Sequence, residues 1–362
     1  MKRTIAILLS MMMCAGLLAG CGVAPAPSDA AASAAASAAQ PASEPAEPAA
    51  PAASATGAVP TGDKPIALLI PSPVGDPFIA LCVKGLEKLS EETGAELKII
   101  ETLDKAEYED QVRAMAELGA NPVYCMWGDL SELAVKVAPE YPDTKFILAD
   151  VYMKTNQPNV SSISVDPYAS SFIAGYVAAN NTEAKKVGFI AHADRPVSRR
   201  YRDGFIAGVH YVDESIPVEV AYVGNDQDPV KGQEVAKLMI QNNGVDLIFQ
   251  SASRSGLGVI AGCADQGIKC IGSDDWQGDV DPCVFWSALK PFDEALYVEG
   301  KSVFDGTYES GDKAYGLEQG LPMYDQRDFD KLPEELQQGV LAVVEGIKSG
   351  EIQITEDENV VQ

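Results

Sequence analysis

The stretch IALLIPSPVGDPFIALCVKGLEKL, residues 66–89, contains one complete strand-and-helix unit. Residues 66–70 form a short continuous apolar run, which is typical of a strand that is buried on both faces of a sheet. After SPVGDP, apolar residues recur at helical spacing, at Phe78, Leu81, Cys82, Leu86 and Leu89. The stretch therefore predicts a buried strand followed by an amphipathic helix.

The same strand-and-helix unit recurs along the rest of the chain, in two similar halves. The predicted strands cover residues 66–70, 96–100, 123–127, 145–149, 160–165, 186–191, 218–223, 245–250, 268–272 and 284–289. The helices predicted after the first lie near residues 107–118, 130–140, 168–179, 198–212, 229–241, 257–265 and 330–348. Strands that alternate with helices predict an α/β fold with parallel sheets and right-handed crossovers.

The N-terminus predicts an exported protein with a lipid anchor. Lys2 and Arg3 precede an apolar run that is too short to span a membrane, so residues 1–20 are predicted to be a signal peptide. The run ends in Leu-Ala-Gly-Cys, which resembles the lipobox of bacterial lipoproteins and makes Cys21 the predicted lipidation site. Two or more acyl chains anchor a protein stably, so we expect it on the extracytoplasmic face of the cell membrane.

Two segments outside the alternating region are predicted to lack a fixed structure. Residues 21–63 are rich in Ala, Pro and Ser and contain no aromatic residue. Such a segment cannot bury enough apolar surface to offset the entropy lost on ordering its backbone, so a disordered linker is predicted. Residues 356–362 form an acidic tail that we expect to be frayed.

The charge balance and residue usage oppose several function classes. Lys plus Arg total 27 against 53 Asp plus Glu, and the resulting net charge of −26 opposes nucleic-acid binding. Two histidines and the absence of a Cys-x-x-Cys pair leave little material for a zinc site or a His-based catalytic site. GLGVIAG at residues 256–262 lacks the spacing of a dinucleotide fingerprint. We therefore expect no metal, no cofactor and no enzymatic activity.

Polar and aromatic residues collect where the predicted strands end, which is where open parallel sheets bind ligands. These residues are Asp76, Phe78, Trp127, Asp129, Asp150, His192, Asn225, Asp226, Ser251, Arg254, Asp274, Asp275, Trp276 and Lys290. Carboxylates accept hydrogen bonds from hydroxyl or amine donors, and aromatic faces stack on flat rings. The pattern favours a small polar ligand that contains a ring, although any single Asp could instead cap a helix.

Seven segments carry a resemblance to a known family, in that family's order. They are DPFIALCVKGL (76–86), YPDTKFILAD (141–150), FIAGYVAANNTEAKKVGFIAH (172–192), RYRDGFIAGVHYV (200–212), DPVKGQEVAKLMIQNNGVDLIF (228–249), GLGVIAGCADQGIKCIGSDDWQ (256–277) and SALKPFDEAL (287–296). The chain resembles the basic membrane protein (BMP) family of substrate-binding lipoproteins, which includes purine-nucleoside receptors of ABC importers. The resemblance implies a type I periplasmic-binding-protein fold, with two Rossmann-like lobes joined by hinge strands that close on the ligand.

The resemblance also implies domain boundaries and partners. Residues 64–166 and about 290–313 would form lobe I, and residues 167–289 and about 314–355 would form lobe II. The expected partners are a nucleoside-like small molecule, an ABC permease and, through the lipid, the membrane, and the protein itself is expected to be a monomer. A free base, a flavin or a sugar-like ligand, or a role as a ligand sensor, are the alternatives.

Individual site residues follow from the same resemblance. It implies a base stacked on Phe78, a base contact from Asp150, ribose hydroxyls held by Asp274 and a polar contact from Lys290. Three departures from the family pattern stand at Ile79, at Asn225-Asp226 in place of a second stacking phenylalanine, and at Ser253-Arg254-Ser255-Gly256 in place of Gly-Gly-Thr-Gly. Arg254 is expected to neutralise Asp226 or Asp274. The predicted ligand-binding residues are Phe78, Trp127, Asp150, Asp226, Arg254, Asp274, Trp276 and Lys290.

Overall fold

The structure is a computed structural model that describes residues 63–354. The predicted signal peptide, the lipidation site Cys21 and the acidic tail lie outside the described residues, as does the predicted linker except for Asp63. In the described part, no helix combines the length and the apolar character that a membrane span requires.

Strands and helices alternate from residue 66 to residue 349. The first series is β1 (Ile66–Ile70), α1 (Pro77–Thr93), β2 (Leu97–Glu101), α2 (Tyr108–Glu117), β3 (Val123–Met126), α3 (Trp127–Val137), β4 (Phe146–Ala149) and β5 (Val160–Val165). The second is α4 (Tyr168–Asn181), β6 (Val187–Ala191), α5 (Pro196–Val212), β7 (Val218–Tyr222), α6 (Pro229–Asn243), β8 (Leu247–Ser251), α7 (Arg254–Gln266), β9 (Lys269–Asp274) and β10 (Val284–Leu289). The last is α8 (Phe292–Phe304), β11 (Gly311–Tyr315), α9 (Gln326–Phe329) and α10 (Glu334–Ser349).

The strands form two parallel sheets, one in each lobe. The sheet of lobe I has the order β11-β5-β4-β3-β1-β2, and the sheet of lobe II has the order β10-β9-β8-β6-β7. In the first sheet, Leu68 of β1 lies opposite Ile99 of the edge strand β2 on one side and Tyr124 of β3 on the other. All strand carboxyl ends within a sheet therefore lie at one edge.

The chain passes between the two lobes three times. It leaves lobe I after β5, returns after β10 and leaves again after β11, since β11 pairs with β5 and α8 packs against α1. The segment that follows β11 contributes Met323, Phe329 and Val340 to the core of lobe II. β11 stays in the first sheet through Tyr315, two residues beyond the expected boundary near residue 313.

Apolar side chains cover both faces of each sheet. All five residues of β1 are buried, as the continuous apolar run predicts. In lobe II, the rings of Phe189, Phe205 and Phe249 lie with centroids 5.2 to 6.3 Å apart beneath the helices. The five cysteines of the described part are free thiols, of which only Cys283 is partly exposed.

The sequence patterns missed three elements. α8, β11 and the short helix α9 were not predicted, and α10 begins at Glu334 rather than near residue 330. β11 has the sequence GDKAY and lies at the sheet edge with alternating exposed residues, so it lacks the continuous apolar run that marks a buried strand. Trp127 begins α3 instead of ending β3.

Glycines allow α4 and α5 to pack at backbone contact. A Cβ atom on Gly208 of α5 would lie 2.0 Å from the carbonyl oxygen of Phe172, and one on Gly175 of α4 would lie 2.2 Å from that of Phe205. These obstacles are backbone atoms, which cannot rotate away as a side chain can. The close approach of the two helices therefore depends on the missing side chains.

We expect Gly208→Ala to destabilise the protein by about 1–3 kcal/mol, because the added methyl group forces two packed helices apart. The free energy of unfolding, measured by urea denaturation, checks this. Gly128→Ala is the matched control, since nothing lies within 4 Å of its Cβ position in the first turn of α3. Equal stability of the two variants would contradict the packing argument.

Candidate functional site

Backbone strain marks the carboxyl edges of both sheets. Five non-glycine residues of the described part have a positive φ, and four of them stand at or just after strand ends: Trp127, Asp150, Ser253 and Asp274, with φ between 53° and 69°. L side chains adopt this left-handed region rarely and at a cost. Strain that recurs at one edge of each sheet indicates that these loops are shaped for a purpose other than stability.

Lys290 connects the two lobes at this edge. It follows β10, it is only 2% exposed, and its Nζ lies 2.6 Å from Asp150 Oδ1 of lobe I. The ammonium also lies 4.7 Å from the ring centroid of Phe78. Its backbone nitrogen donates to the carbonyl oxygen of Asp274 at 2.9 Å. Lys290 thus contacts three of the predicted site residues, two through its ammonium and Asp274 through its backbone.

Trp127 completes the surroundings of Asp150. Its indole Nε1 donates to Asp150 Oδ2 at 3.2 Å, while Lys290 occupies Oδ1. Both carboxylate oxygens therefore have a donor from the protein. Phe78 packs on Phe292 at 5.6 Å between ring centroids and is largely buried.

Asp274 faces this group from lobe II. Tyr201 of α5 donates its hydroxyl to Asp274 Oδ1 at 2.5 Å, and Ser273 Oγ lies 3.2 Å from Oδ2. Burial raises the pKa of Asp274 above its ordinary value, although the charge of Lys290 and the hydroxyl of Tyr201 act in the opposite direction. Phe78, Trp127, Asp150, Tyr201, Asp274 and Lys290 are called the interlobe cluster below.

Tyr201 was not among the predicted site residues. Its helix shows apolar residues at helical spacing, with Tyr201, Phe205 and Val209 on one buried face. That pattern is typical of a core residue, and the ring does pack against Phe249. Only the tertiary arrangement shows that the hydroxyl at the end of the ring reaches Asp274.

Three predicted residues do not join the interlobe cluster. Trp276 donates its indole Nε1 to Asp328 Oδ1 at 3.0 Å, and the guanidinium of Arg327 lies 3.6 Å from its ring centroid. Its contacts therefore attach the C-terminal segment to lobe II. Asp226 and Arg254 are exposed. Among the ion pairs of residues 63–354, none joins Arg254 to Asp226 or Asp274, so the expected neutralisation is not found.

The interlobe cluster offers hydrogen-bond acceptors, one cation and three aromatic rings. In the part of the chain that is described, no group of three His, Cys, Asp or Glu side chains is arranged to hold a metal ion. The chemistry available is recognition of a small solute with hydroxyl or amine donors beside an apolar ring.

We expect Lys290→Met to destabilise the protein by about 3–5 kcal/mol, because it leaves the Asp150 carboxylate buried without its cation. Urea denaturation measures the change. The double variant Lys290→Met, Asp150→Asn removes both charges and should recover much of the loss. If the stability losses of Lys290→Met and Asp150→Asn, each measured alone, simply add in the double variant, loss of the ion pair is not the cause.

We expect Asp274→Asn to raise the melting temperature at neutral pH. A carboxyl whose pKa is raised by folding binds its proton more tightly in the folded state, so its charge opposes folding above that pKa. The advantage of the variant should shrink as the pH falls from the raised pKa towards the unfolded value of about 3.9. Melting curves between pH 4 and pH 8 test this, and a constant or reversed difference would contradict it.

Known proteins share the sequence pattern of this chain. The sequence profile described as "Bmp: ABC transporter substrate-binding protein PnrA-like" matches residues 64–358. Basic membrane protein A2 of Borrelia garinii subsp. bavariensis is 26% identical over 273 residues, which cover 73% of this chain and 80% of that protein. A purine-binding protein of Brucella abortus is 26% identical over 248 residues, 68% of this chain and 69% of that protein.

A solved structure shares the fold. The solute-binding protein of an ABC transporter system from Aeropyrum pernix superposes with a TM-score of 0.68 over 82% of this chain and 95% of that chain, at 24% identity. The predicted two-lobed α/β fold and the predicted family are confirmed. A substrate-binding protein of this kind works outside the cytoplasm, with a small-molecule ligand and a permease as its partners. Because the profile covers both lobes, the chain belongs to the Bmp family of ABC transporter substrate-binding proteins.

Proposed function

We propose that the protein captures a small polar solute containing a ring, a purine nucleoside first of all, between its lobes and presents it to an ABC permease without chemical change. The observation that carries the proposal is the interlobe cluster, where Lys290 contacts Phe78 and Asp150 of lobe I through its ammonium and Asp274 of lobe II through its backbone nitrogen. Lipidated Cys21 would hold the protein, as a monomer, at the outer face of the cell membrane.

The chemistry of the cluster suits the two parts of a nucleoside. The Phe78 ring offers an apolar surface for a base, beside the Lys290 ammonium. An ionised carboxylate has about four acceptor positions, and the protein fills only two of those on Asp274. Adjacent hydroxyls of a ribose would supply donors to the remaining positions. The name of the Brucella abortus relative, a purine-binding protein, supports the same ligand class.

The departures from the family pattern bear on selectivity. Ile79 is fully buried in the core of lobe I and offers no polar group to a base edge. Asn225 uses its Oδ1 to accept from the backbone nitrogen of Gln227 at 2.8 Å, in a turn rather than in a stacking role. The second stacking phenylalanine that the family pattern implies is therefore missing at Asn225-Asp226, and each stacked ring contributes about 1–3 kcal/mol. A free base, a flavin or a sugar-like solute is the alternative that the test must separate.

Closure provides a mechanism that holds for any of these ligands. A solute that contacts Asp150 in lobe I and Asp274 in lobe II binds the closed arrangement more tightly than the open one, and this difference shifts the population towards closure. The lobes are covalently joined only by the three chain passages, which can act as a hinge for their rotation towards each other. The permease would then distinguish loaded from empty protein by the relative position of the lobes.

We expect adenosine, guanosine or inosine to raise the melting temperature, since a ligand at about 100 times its Kd adds about 2.7 kcal/mol to stability. Mass spectrometry of small molecules released from the purified protein identifies a carried ligand directly. If all three nucleosides leave the melting temperature unchanged while another compound raises it, the nucleoside assignment is wrong.

Phe78→Leu should then weaken nucleoside binding about 5- to 150-fold, as expected for the loss of about 1–3 kcal/mol of stacking. Phe146→Leu is the matched control, because Phe146 is fully buried in lobe I but packs on the opposite face of the sheet from Phe78. Calorimetric titration should show a lower affinity for the first variant only. Equal losses in both would mean that general destabilisation is responsible.

A further inference from the structure

The Asp76 carboxylate makes contacts on both sides of the gap between the lobes. Its Oδ1 caps α1 by accepting from the backbone nitrogens of Phe78 at 3.0 Å and Ile79 at 3.4 Å. Its Oδ2 accepts from Gln227 Nε2 of lobe II at 2.9 Å and from the Ser253 hydroxyl, also of lobe II. Asp76 is only 2% exposed, although none of the ion pairs among residues 63–354 gives it a cation. Its burial therefore depends on donors from both lobes.

Hydrogen bonds within lobe II hold the Gln227 and Ser253 donors in place. The fully buried Ser255 donates its hydroxyl to the carbonyl oxygen of Asn225 at 2.8 Å and accepts from the backbone nitrogen of Asp228 at 2.8 Å. The loop after β7 and the loop after β8 are thereby joined. Gln227 and Ser253, one from each loop, are presented together towards Asp76.

Ser253 adopts a backbone conformation that favours glycine, with φ 53° and ψ −134°. A glycine would take this conformation without strain, and it would lack the hydroxyl. The serine thus keeps an interlobe hydrogen bond in spite of a local cost. By contrast, the ion pair of Lys84 with Asp275, which also joins the lobes, is exposed on both sides at 3.8 Å and contributes little.

We propose that Asp76, Gln227 and Ser253 form an interlobe latch, which sets the balance between open and closed protein without contacting the ligand. On opening, Asp76 keeps its contacts to α1 and exchanges the two lobe II donors for water. Apparent ligand affinity scales with the closed fraction, so the latch tunes affinity as well as shape. The latch rests on the binding function proposed above, but its test needs no ligand and so can fail separately.

The test is small-angle X-ray scattering of ligand-free protein, wild type against Ser253→Ala, Gln227→Ala and the double variant. Loss of one hydrogen bond to a buried carboxylate should shift the closed-to-open ratio about tenfold, and loss of both about a hundredfold. We expect the radius of gyration to increase in the double variant at least, with little change in the unfolding midpoint. A double variant whose scattering superposes on that of wild type overturns the latch, and so does a wild type that is already fully open.

Two further variants separate the latch from local stability. Ser253→Gly relieves the backbone strain while Ser253→Ala retains it, so the melting temperatures of the two should differ but their scattering should agree. Asp76→Ser keeps a capping side chain but cannot reach lobe II, and it should also open the protein. Asp104→Ser is its matched control, because the Asp104 side chain accepts only from the backbone nitrogen of Ala106, in the single helical turn Lys105–Glu107. Opening that follows the melting temperature instead of the Ser253 hydroxyl would overturn the proposal.

Discussion

A buried ammonium group must have a carboxylate beside it, and the placement of Lys290 next to Asp150 organises the centre of the molecule. Lys290 stands where the chain passes from β10 back to lobe I, so the ion pair fixes the crossover against the end of β4. The same carboxylate orients the Trp127 indole, and the same ammonium lies beside the Phe78 ring. One electrostatic requirement therefore positions the polar and the apolar parts of the candidate site together.

Carboxylates outnumber cations in and around the interlobe cluster, and this excess of acceptors favours solutes that carry hydrogen-bond donors. Lys290 compensates Asp150, whereas Asp274 is held by a tyrosine hydroxyl and Asp76 by neutral donors. Burial makes the charge on Asp274 costly in the folded protein, which is the reason for its raised pKa. A solute that brings hydroxyl donors lowers this cost when it binds. In the function proposed above, ligand recognition and the cost to folding stability thus arise from the same carboxylate.

The sequence alone predicted the sheets and much of the cluster, for one physical reason. In a parallel sheet the residue after each strand lies at the common edge, so strand patterns were enough to find Phe78, Asp150 and Lys290. Roles that depend on tertiary contact were beyond that reasoning: Tyr201 has the spacing of a core residue, and the Trp276 ring pairs with Asp328 rather than with the cluster. β11 was missed because an edge strand need not be continuously apolar.

The discontinuity of both lobes has a consequence for synthesis and export. β5 acquires its outer neighbour only when β11 is added, and α4 is covered by α10, the last helix of residues 63–354. A nascent chain that has emerged as far as β10 still exposes an unpaired strand edge in one lobe and an apolar helix face in the other. Such edges are templates for aggregation. Loss of the segment from β11 onward would thus leave an open strand edge in lobe I and an uncovered apolar helix face in lobe II at once.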